Sequence, residues 1–240
     1  MRVLAVGAHP DDIEFRMAGT LLKMKKRGDD IVLCIATNGN IGSYQKTKEE
    51  IAAIRRQESQ NAADFLGAEL IWLDEPDEFL FDNEPTRKKF IEVVRKARPD
   101  VIFTHPPYMD YNQDHDITGY LTFEARVLAT VKLIETESPV IDHIPAMFYC
   151  TPHGLNSKYN PTYFVDITDT FEDKMKMFLC HASQQGSWCK DAFGVDYADM
   201  IVRENKHYAS LCGTAGVEYV EAFALGTAWP VIAGAHKFLP

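Results

Sequence analysis

The sequence is poor in cysteine, and the few cysteines it has do not form the pattern of a disulfide framework or a thiolate metal site. There are five, an odd number, and no two of them form a CxxC pair. They are Cys34, Cys150, Cys180, Cys189 and Cys212. Such usage is typical of a reducing compartment, where thiols stay free. We therefore expect a cytoplasmic protein without structural disulfides.

Positive charge is also scarce. Lys and Arg together number 25 against 35 Asp and Glu, which gives a formal net charge of −10. Nucleic acids and anionic membranes are bound mainly through clustered Lys and Arg, so neither is an expected partner. The sequence also has no run of about 20 apolar residues and no signal-peptide pattern at its start. The expected partner is a small molecule.

No linker, repeat or low-complexity tract divides the chain, so residues 1–240 are predicted to form a single domain. Short apolar runs alternate with segments of helical periodicity. Strands are predicted over residues 2–7, 31–36, 70–73, 101–104, 146–150, 163–165 and 220–225, and helices over 13–24, 47–66, from 85, 116–130, 168–182 and 195–211. This alternation predicts an α/β fold, doubly wound and Rossmann-like, with a mainly parallel sheet and helices on both faces.

Polar side chains follow two of the predicted strands. His9 and Asp12 come directly after the first strand, and His115 follows the strand at residues 101–104. In open α/β sheets ligands bind at the carboxyl ends of the strands, so these residues can converge. Catalytic zinc is commonly held by three His and Asp or Glu ligands, a set that His9, Asp12 and His115 supply. Asp11 is then a spare carboxylate that can act as general base toward a water molecule.

Two simpler interpretations compete with a metal site. Adjacent carboxylates before a helix commonly accept its free N–H groups, so Asp11 and Asp12 can be helix caps and His9 an ordinary turn residue. A nucleotide-binding or sensor domain can also be built on a similar sheet. Against that second interpretation, residues 6–19 contain no GxGxxG or Walker sequence to receive a phosphate, and two adjacent carboxylates would repel one.

The sequence resembles a known enzyme family. His9-Pro10-Asp11-Asp12 with Gly19-Thr20-Leu21 is similar to the first motif of the PIG-L/LmbE-like de-N-acetylases, and Asp114-His115 is similar to the end of their second motif. Arg55-Arg56-Gln57-Glu58 is similar to the family's RxxE helix, and His181-Ala182-Ser183-Gln184 to its H.SQ segment. Glu221-Ala222-Phe223 is similar to its closing strand. The family consists of zinc-dependent enzymes that remove acetyl from N-acetylglucosamine-type substrates. The resemblance implies metal ligation by His9, Asp12 and His115, with Asp11 as the base.

Two positions depart from the family pattern. Many members have His-Pro-Asp-His in the second motif, whose first His stabilises the oxyanion or protonates the leaving amine, whereas this chain has Asn112 at that position. Asn112 can donate a hydrogen bond to an oxyanion but cannot deliver a proton. His181 can supply that proton or can instead complement the dipole of its helix. Arg16 stands where many members have small residues, and it either reaches the pocket to bind substrate or points to solvent.

Several other side chains have two interpretations each. Arg55 either contacts a substrate hydroxyl or acid group, as the resemblance implies, or forms an intrahelical pair with Glu58 or a neighbouring acid. His105 either lines the site or is a structural loop residue, and His153 is expected in a turn. Three aromatic residues can stack on a sugar ring or pack in the core or an interface. These are Tyr111, Trp188 and Trp229.

The sequence therefore predicts a zinc-dependent hydrolase, with Fe²⁺ as the alternative metal, that removes acetyl from an N-acetylated amino sugar or its conjugate. An amidase or deacylase acting on a non-sugar or thiol conjugate is one alternative, and a degenerate member that binds ligand without turnover is another. Members of the resembled family assemble, and residues 224–240 are apolar with few charges. A homo-oligomer is expected for these reasons.

Overall fold

The computed structural model describes residues 1–153, 158–185, 190–191, 194–226 and 234–240. Within these ranges seven strands form one sheet in the order β3-β2-β1-β4-β5-β7-β6. The strands are β1 (Arg2–Gly7), β2 (Asp30–Thr37), β3 (Glu69–Glu75), β4 (Val101–Thr104), β5 (Ala146–Tyr149), β6 (Tyr163–Asp166) and β7 (Val220–Leu225). Every predicted strand is present, with bounds that differ by two residues at most.

The sheet is parallel from β3 to β5. Strand β7 runs antiparallel to β5, and β6 runs antiparallel to β7. The prediction of a doubly wound, mainly parallel α/β sheet is confirmed. Because β1 pairs with β2 on one side and with β4 on the other, the strand order reverses at β1 and β4. A crevice for ligands forms at such a reversal in open α/β sheets.

Local sequence sets the ends of several helices. The helices are α1 (Asp12–Arg16), α2 (Ala18–Arg27), α3 (Lys48–Leu66), α4 (Glu84–Ala97), α5 (Gln113–Leu128), α6 (Phe171–Phe178) and α7 (Tyr197–Cys212), with short 3-10 turns at Ala182–Gln184 and Ala235–Phe238. Thr47 and Glu50 form a reciprocal capping box at the start of α3. Gly67, in the left-handed conformation, ends the same helix.

Three helices differ from the predicted ones. The helix expected over residues 13–24 is two helices, α1 and α2, because the backbone of Met17 leaves the helical conformation at a φ of −144°. The helix expected over residues 168–182 is shorter and is followed by a 3-10 turn. Helix α5 begins three residues earlier than predicted, because Asn112 caps it. His115 consequently lies in the first turn of this helix.

The core lies on both faces of the sheet. Val3 and Ala5 of β1 belong to the apolar cluster on one face, whereas Leu4 and Val6 belong to the cluster on the other. All four are almost completely buried, which explains why β1 is continuously apolar. Within the described ranges no helix is both long enough and apolar enough to cross a membrane.

Candidate metal centre and active site

The loops after β1, β2, β3, β4 and β5 meet around a cavity of about 260 Å³ at the carboxyl ends of the strands. Glycine permits two close approaches there. A Cβ at Gly7 would lie 3.1 Å from Ile13 Cγ1 and 3.2 Å from Asp12 Cβ, so the missing side chain lets α1 fold back against β1. A Cβ at Gly119 would collide with the carbonyl oxygen of His105. Gly119 therefore lets α5 pack against the end of β4.

Three donor groups converge on the floor of this cavity. His9 Nδ1 is 3.0 Å from His115 Nε2. The carboxylate of Asp12 lies 3.4 Å from His9 Nδ1 through Oδ2 and 3.3 Å from His115 Nε2 through Oδ1. Two imidazole nitrogens and a carboxylate at these distances are close enough to bind one cation together. The three residues therefore fit a divalent metal ion, and their nitrogen and oxygen donors suit zinc.

The outer nitrogens of both histidines face carboxylates. His9 Nε2 is 3.1 Å from Asp77 Oδ1, and His115 Nδ1 is 3.0 Å from Asp110 Oδ2. A carboxylate in this position holds the proton on the outer nitrogen and leaves the lone pair of the inner nitrogen for a metal. Sequence patterns do not identify Asp77 and Asp110, which stand outside the motifs. Their positions after β3 and β4, at the carboxyl edge of the sheet, are the signal that could have indicated them.

Asp11 does not cap α1. Its φ is 106°, in the left-handed region that side chains disfavour, and its carboxylate makes no capping hydrogen bond. The carboxylate of Asp12 accepts a hydrogen bond of 2.7 Å from the backbone N–H of His9. The helix-cap interpretation of Asp11 is therefore wrong. A strained backbone at a cavity wall is typical of a functional position.

The two neighbouring carboxylates have opposite electrostatic environments. Burial raises the pKa of Asp11 to about 6, although the charge of Arg55 opposes this effect. Burial would also raise the pKa of Asp12, but His115 and His105 outweigh it and hold that pKa well below its ordinary value. Asp12 is thus a permanent anion, whereas Asp11 can accept and release a proton near neutral pH.

Arg55 belongs to the cavity wall and not to an intrahelical ion pair. It is 4% exposed, donates a hydrogen bond of 2.6 Å to the carbonyl of Pro10, and lies 3.5 Å from Asp11 Oδ2. Glu58 instead accepts hydrogen bonds from the backbone N–H and the hydroxyl of Ser183, at 2.7 and 2.6 Å. The Arg55–Glu58 interpretation is therefore wrong. Glu58 and Ser183 join the RxxE helix to the H.SQ segment.

Asn112 lines the cavity and uses both ends of its amide. Its Oδ1 accepts hydrogen bonds from the backbone N–H groups of Asp114 and His115, at 2.8 and 3.3 Å, which cap α5. Its Nδ2 donates a hydrogen bond of 2.6 Å to Glu78 Oε1. The carboxylate of Asp114 accepts hydrogen bonds from the backbone N–H groups of Glu78 and Leu80, at 2.8 and 3.1 Å. This residue of the second motif thus anchors the loop after β3.

His181 and Arg16 are both buried behind the cavity. His181 lies beyond the end of α6, and its Nε2 is 3.2 Å from Glu14 Oε2, so the helix-dipole interpretation is wrong. Arg16 is 3% exposed, and its Nη1 lies 2.6 Å from both carboxylate oxygens of Glu204. The solvent-pointing interpretation of Arg16 is also wrong. Neither residue is among the described residues that line the cavity.

Two further histidines surround His115. The ring of His105 stacks on the ring of His115 at 4.2 Å, and its Nε2 is 3.2 Å from Asp12 Oδ2. His105 is fully buried and packs behind the candidate metal ligands. His153 lines the cavity, with its Nδ1 3.3 Å from His115 Nδ1. The loop after β5 places His153 in the site, whereas the sequence indicated only a turn residue.

The aromatic residues proposed to stack on a sugar divide into two groups. Tyr111 lines the cavity and is 75% exposed, so core packing is the wrong interpretation for it. Trp188 and Trp229 lie outside the described residues. Part of the apolar segment 224–240 lies outside them too, and self-association stays a prediction, as does the cytoplasmic location.

Comparison with known proteins agrees with this geometry. A family model described as GlcNAc-PI de-N-acetylase, PIG-L, matches residues 4–126. Diacetylchitobiose deacetylase of Thermococcus kodakarensis is 30% identical over 193 residues, which cover 76% of this chain and 70% of that protein. 4-Oxalmesaconate hydratase of Pseudomonas putida is 25% identical over 193 residues, covering 77% of this chain and 74% of that protein.

A solved structure extends the comparison to most of the chain. N,N'-diacetylchitobiose deacetylase from Pyrococcus horikoshii, complexed with its inhibitor MPG, superposes with a TM-score of 0.80 and 27% sequence identity. The match covers 93% of this chain and 82% of that one. The family model spans both motifs that contribute to the candidate metal centre. This chain is a member of the PIG-L family of de-N-acetylases.

Proposed function

We propose that this protein is a zinc-dependent hydrolase that removes the acetyl group from an N-acetylated amino sugar of the N-acetylglucosamine type or from its conjugate. The observation that carries the proposal is the convergence of His9, Asp12 and His115 on one point, with the carboxylate of Asp11 beside them. Three ligands leave room for water and substrate in a catalytic zinc site. The deacetylase relatives support the same reaction.

His9, Asp12 and His115 would hold the metal. When bound there, a divalent metal ion supplies Lewis acidity, which polarises an acetyl carbonyl and makes a water molecule more acidic. The protein fixes the orientation of the ligands, because Asp77 and Asp110 hold the outer nitrogens of the two histidines. Fe²⁺ accepts the same nitrogen and oxygen donors and is the alternative metal.

Asp11 is the proposed general base. With a pKa raised to about 6 by burial, it is ionised at neutral pH and still basic enough to take the proton of the attacking water. The same carboxyl group can return that proton to the nitrogen atom as the carbon–nitrogen bond breaks. Arg55 positions this carboxylate, because it binds the Pro10 carbonyl and lies beside Asp11 Oδ2. The guanidinium also lines the cavity and is the proposed contact for a substrate oxygen.

The roles of the other candidates follow from their contacts. Asn112 commits one amide hydrogen to Glu78, and its second is the donor that we propose for the oxyanion. Because His181 lies against Glu14 and not at the cavity, we assign the return of the proton to Asp11. The guanidinium of Arg16 lies 4.3 Å from the ring centroid of Phe15, which lines the cavity. We propose that Arg16 supports this wall without touching substrate.

The test combines metal analysis with product detection. Purified protein is expected to contain about one divalent metal ion per chain and to release acetate and a free amine from N,N'-diacetylchitobiose or a related acetylated amino sugar. The Asp11→Asn variant is the matched control for contaminating activity. Metal-loaded protein that releases no acetate from any such compound would contradict the proposal. Turnover of thiol conjugates alone would favour an amidase, and hydration of 4-oxalmesaconate alone would favour the reaction of the hydratase relative.

A further inference from the structure

The part of a substrate that is not being deacetylated must occupy the mouth of the cavity. The mouth includes four cavity-lining residues that are partly or largely exposed: Ile41, Glu78, Tyr111 and Tyr197. Three of these side chains are apolar or aromatic, and the fourth is a carboxylate. An aglycone or a second sugar that extends from the metal centre to the solvent would therefore lie beside a carboxylate and two tyrosine rings.

Carboxylates greatly outnumber cations on the cavity wall. The wall contains four carboxylates, from Asp11, Asp12, Asp77 and Glu78. Among the lining residues that the structure describes, Arg55 is the sole Lys or Arg. Its guanidinium is already engaged by the Pro10 carbonyl, Asp11 and Asp77, the last at 3.9 Å. Arg55 is also buried on the wall, so no Lys or Arg among the described lining residues stands at the mouth to bind an anionic group.

The residues outside the described ranges cannot change this balance. They are 154–157, 186–189, 192–193 and 227–233, and their sequence contains no Lys, Arg or His. Two further carboxylates, Asp110 and Asp114, lie directly behind the histidine ligands, 3.0 Å from His115 Nδ1 and 3.5 Å from His9 Nε2. A divalent metal ion at the floor would therefore leave the site with a net negative charge.

Glu78 is fixed in the mouth and is not a freely moving surface side chain. Its backbone has a φ of 64°, a disfavoured conformation for a residue with a side chain, and the carboxylate of Asp114 binds its N–H at 2.8 Å. Its Oε1 accepts the amide hydrogen of Asn112 at 2.6 Å. Many members of the family have His where this chain has Asn112. Asn112, at the position of this His, thus supplies the N–H donor that holds the Glu78 carboxylate beside the path of the substrate.

We propose that this site selects amino-sugar substrates whose aglycone or second sugar is uncharged and rejects conjugates that carry carboxylate or phosphate groups, with Glu78 as the specificity-determining residue. The inference rests on the proposed deacetylase function and narrows its substrate class. Like charges held a few ångströms apart at a partly desolvated wall repel, and such repulsion is an effective way to exclude a competing ligand.

The test uses two compounds that differ in charge and share one skeleton. They are the malate glycoside of N-acetylglucosamine and its dimethyl ester, with N,N'-diacetylchitobiose as the neutral reference. The dimethyl ester is expected to have a kcat/KM about tenfold or more above that of the free malate compound at low ionic strength. The difference is expected to shrink as salt is added, because salt screens the repulsion at the exposed mouth.

The Glu78→Gln variant removes one charge and keeps an oxygen that can accept from Asn112. It is expected to reduce the preference for the ester severalfold, mainly by improving turnover of the malate compound. Glu172→Gln removes the same charge from a side chain that is 87% exposed on α6 and outside the cavity lining, and it should leave the preference unchanged. Equal or faster hydrolysis of the malate compound would overturn the proposal. An unchanged preference in Glu78→Gln would overturn the role of Glu78.

Failure of the deacetylase function itself has a different signature. If no compound, including chitobiose, is hydrolysed, the proposed function fails and the charge preference is measured by calorimetric titration of the wild-type protein with the same two malate compounds. Tighter binding of the ester would support the inference about charge. Equal binding of the two, or binding of neither, would overturn it.

Discussion

The carboxylates of Asp11 and Asp12 are consecutive in the chain but lie against different partners. Asp12 Oδ1 is 3.3 Å from His115 Nε2, among the donor atoms that fit a metal. Asp11 Oδ2 is 3.5 Å from Arg55 Nη2, on the wall of the cavity. The left-handed backbone of Asp11 separates the two side chains in this way, because it turns the chain sharply between the end of β1 and the start of α1.

This arrangement predicts different losses for two isosteric variants. Asp12→Asn is expected to lower metal content, because a neutral amide is a poorer ligand for a divalent cation than a carboxylate. Asp11→Asn is expected to keep the metal and to lower kcat about 10²- to 10⁴-fold, the usual effect of losing a general base. Elemental analysis and acetate release measure both quantities. Two variants that stay active and fully metal-loaded would refute the assignment.

The carboxylate behind His115 is predicted to tune metal affinity. Asp110 Oδ2 lies 3.0 Å from His115 Nδ1, the outer nitrogen of this proposed ligand. Asp110→Asn is expected to weaken metal binding about 10- to 100-fold, because the histidine loses its orienting partner. Competition with a chelator of known affinity measures the change. His115→Ala should lose the metal altogether, and an affinity for Asp110→Asn equal to that of wild type would exclude the orienting role.

The left-handed backbone of Asp11 predicts that this residue lowers the stability of the fold while its carboxylate serves the function. Asp11→Gly and Asp11→Ala both remove the carboxylate, but only glycine adopts a φ of 106° without steric cost. The glycine variant is expected to be more stable than the alanine variant by about 1 kcal/mol, and both are expected to be inactive. Chemical denaturation of the two proteins gives the comparison. A glycine variant less stable than the alanine variant would show that the backbone is unstrained.

Tyr111 is predicted to provide a stacking surface at the cavity mouth. Its ring is 75% exposed and meets His153 edge-on, with centroids 6.1 Å apart. Tyr111→Ala is expected to raise KM for glycosides about 2- to 10-fold with little change in kcat, because an aromatic face contributes about 0.5 to 1.5 kcal/mol to such contacts. Tyr111→Phe keeps the face and should keep KM. A fall in kcat at constant KM would instead place Tyr111 in the chemical step.

His181 predicts a dependence of stability on pH. Burial lowers its pKa, but the charges of Glu14 and Asp11 outweigh this effect and raise it above the ordinary value of 6.5. Protonated His181 therefore stabilises the folded state, fully below pH 6.5, and this contribution is lost as the pH rises through the raised folded-state pKa. The stability difference between wild type and His181→Gln should be largest below pH 6.5 and should fall at higher pH. Denaturation across that range measures it, and a difference that grows with pH would contradict the ion pair.

The amino-acid sequence determined the class of fold and the three residues that fit a metal. Alternating apolar runs and helical segments specify βα units, and right-handed crossovers make their sheet parallel. One polar motif directly follows β1 and the other begins α5, so both lie at the carboxyl edge of the sheet. The positions of His9, Asp12 and His115 are therefore readable from local sequence alone.

Only the tertiary structure decided which other side chains reach that edge. Asp77, Asp110 and His153 come from loops after three different strands, and no spacing in the sequence relates them to His9 or His115. Burial also changed the partners that helical periodicity suggested. Arg55 donates a hydrogen bond to the Pro10 carbonyl instead of pairing with Glu58. Arg16 is buried against Glu204 instead of pointing to solvent. A buried cation must be paired wherever the fold places an acceptor, and that placement depends on the whole packed chain.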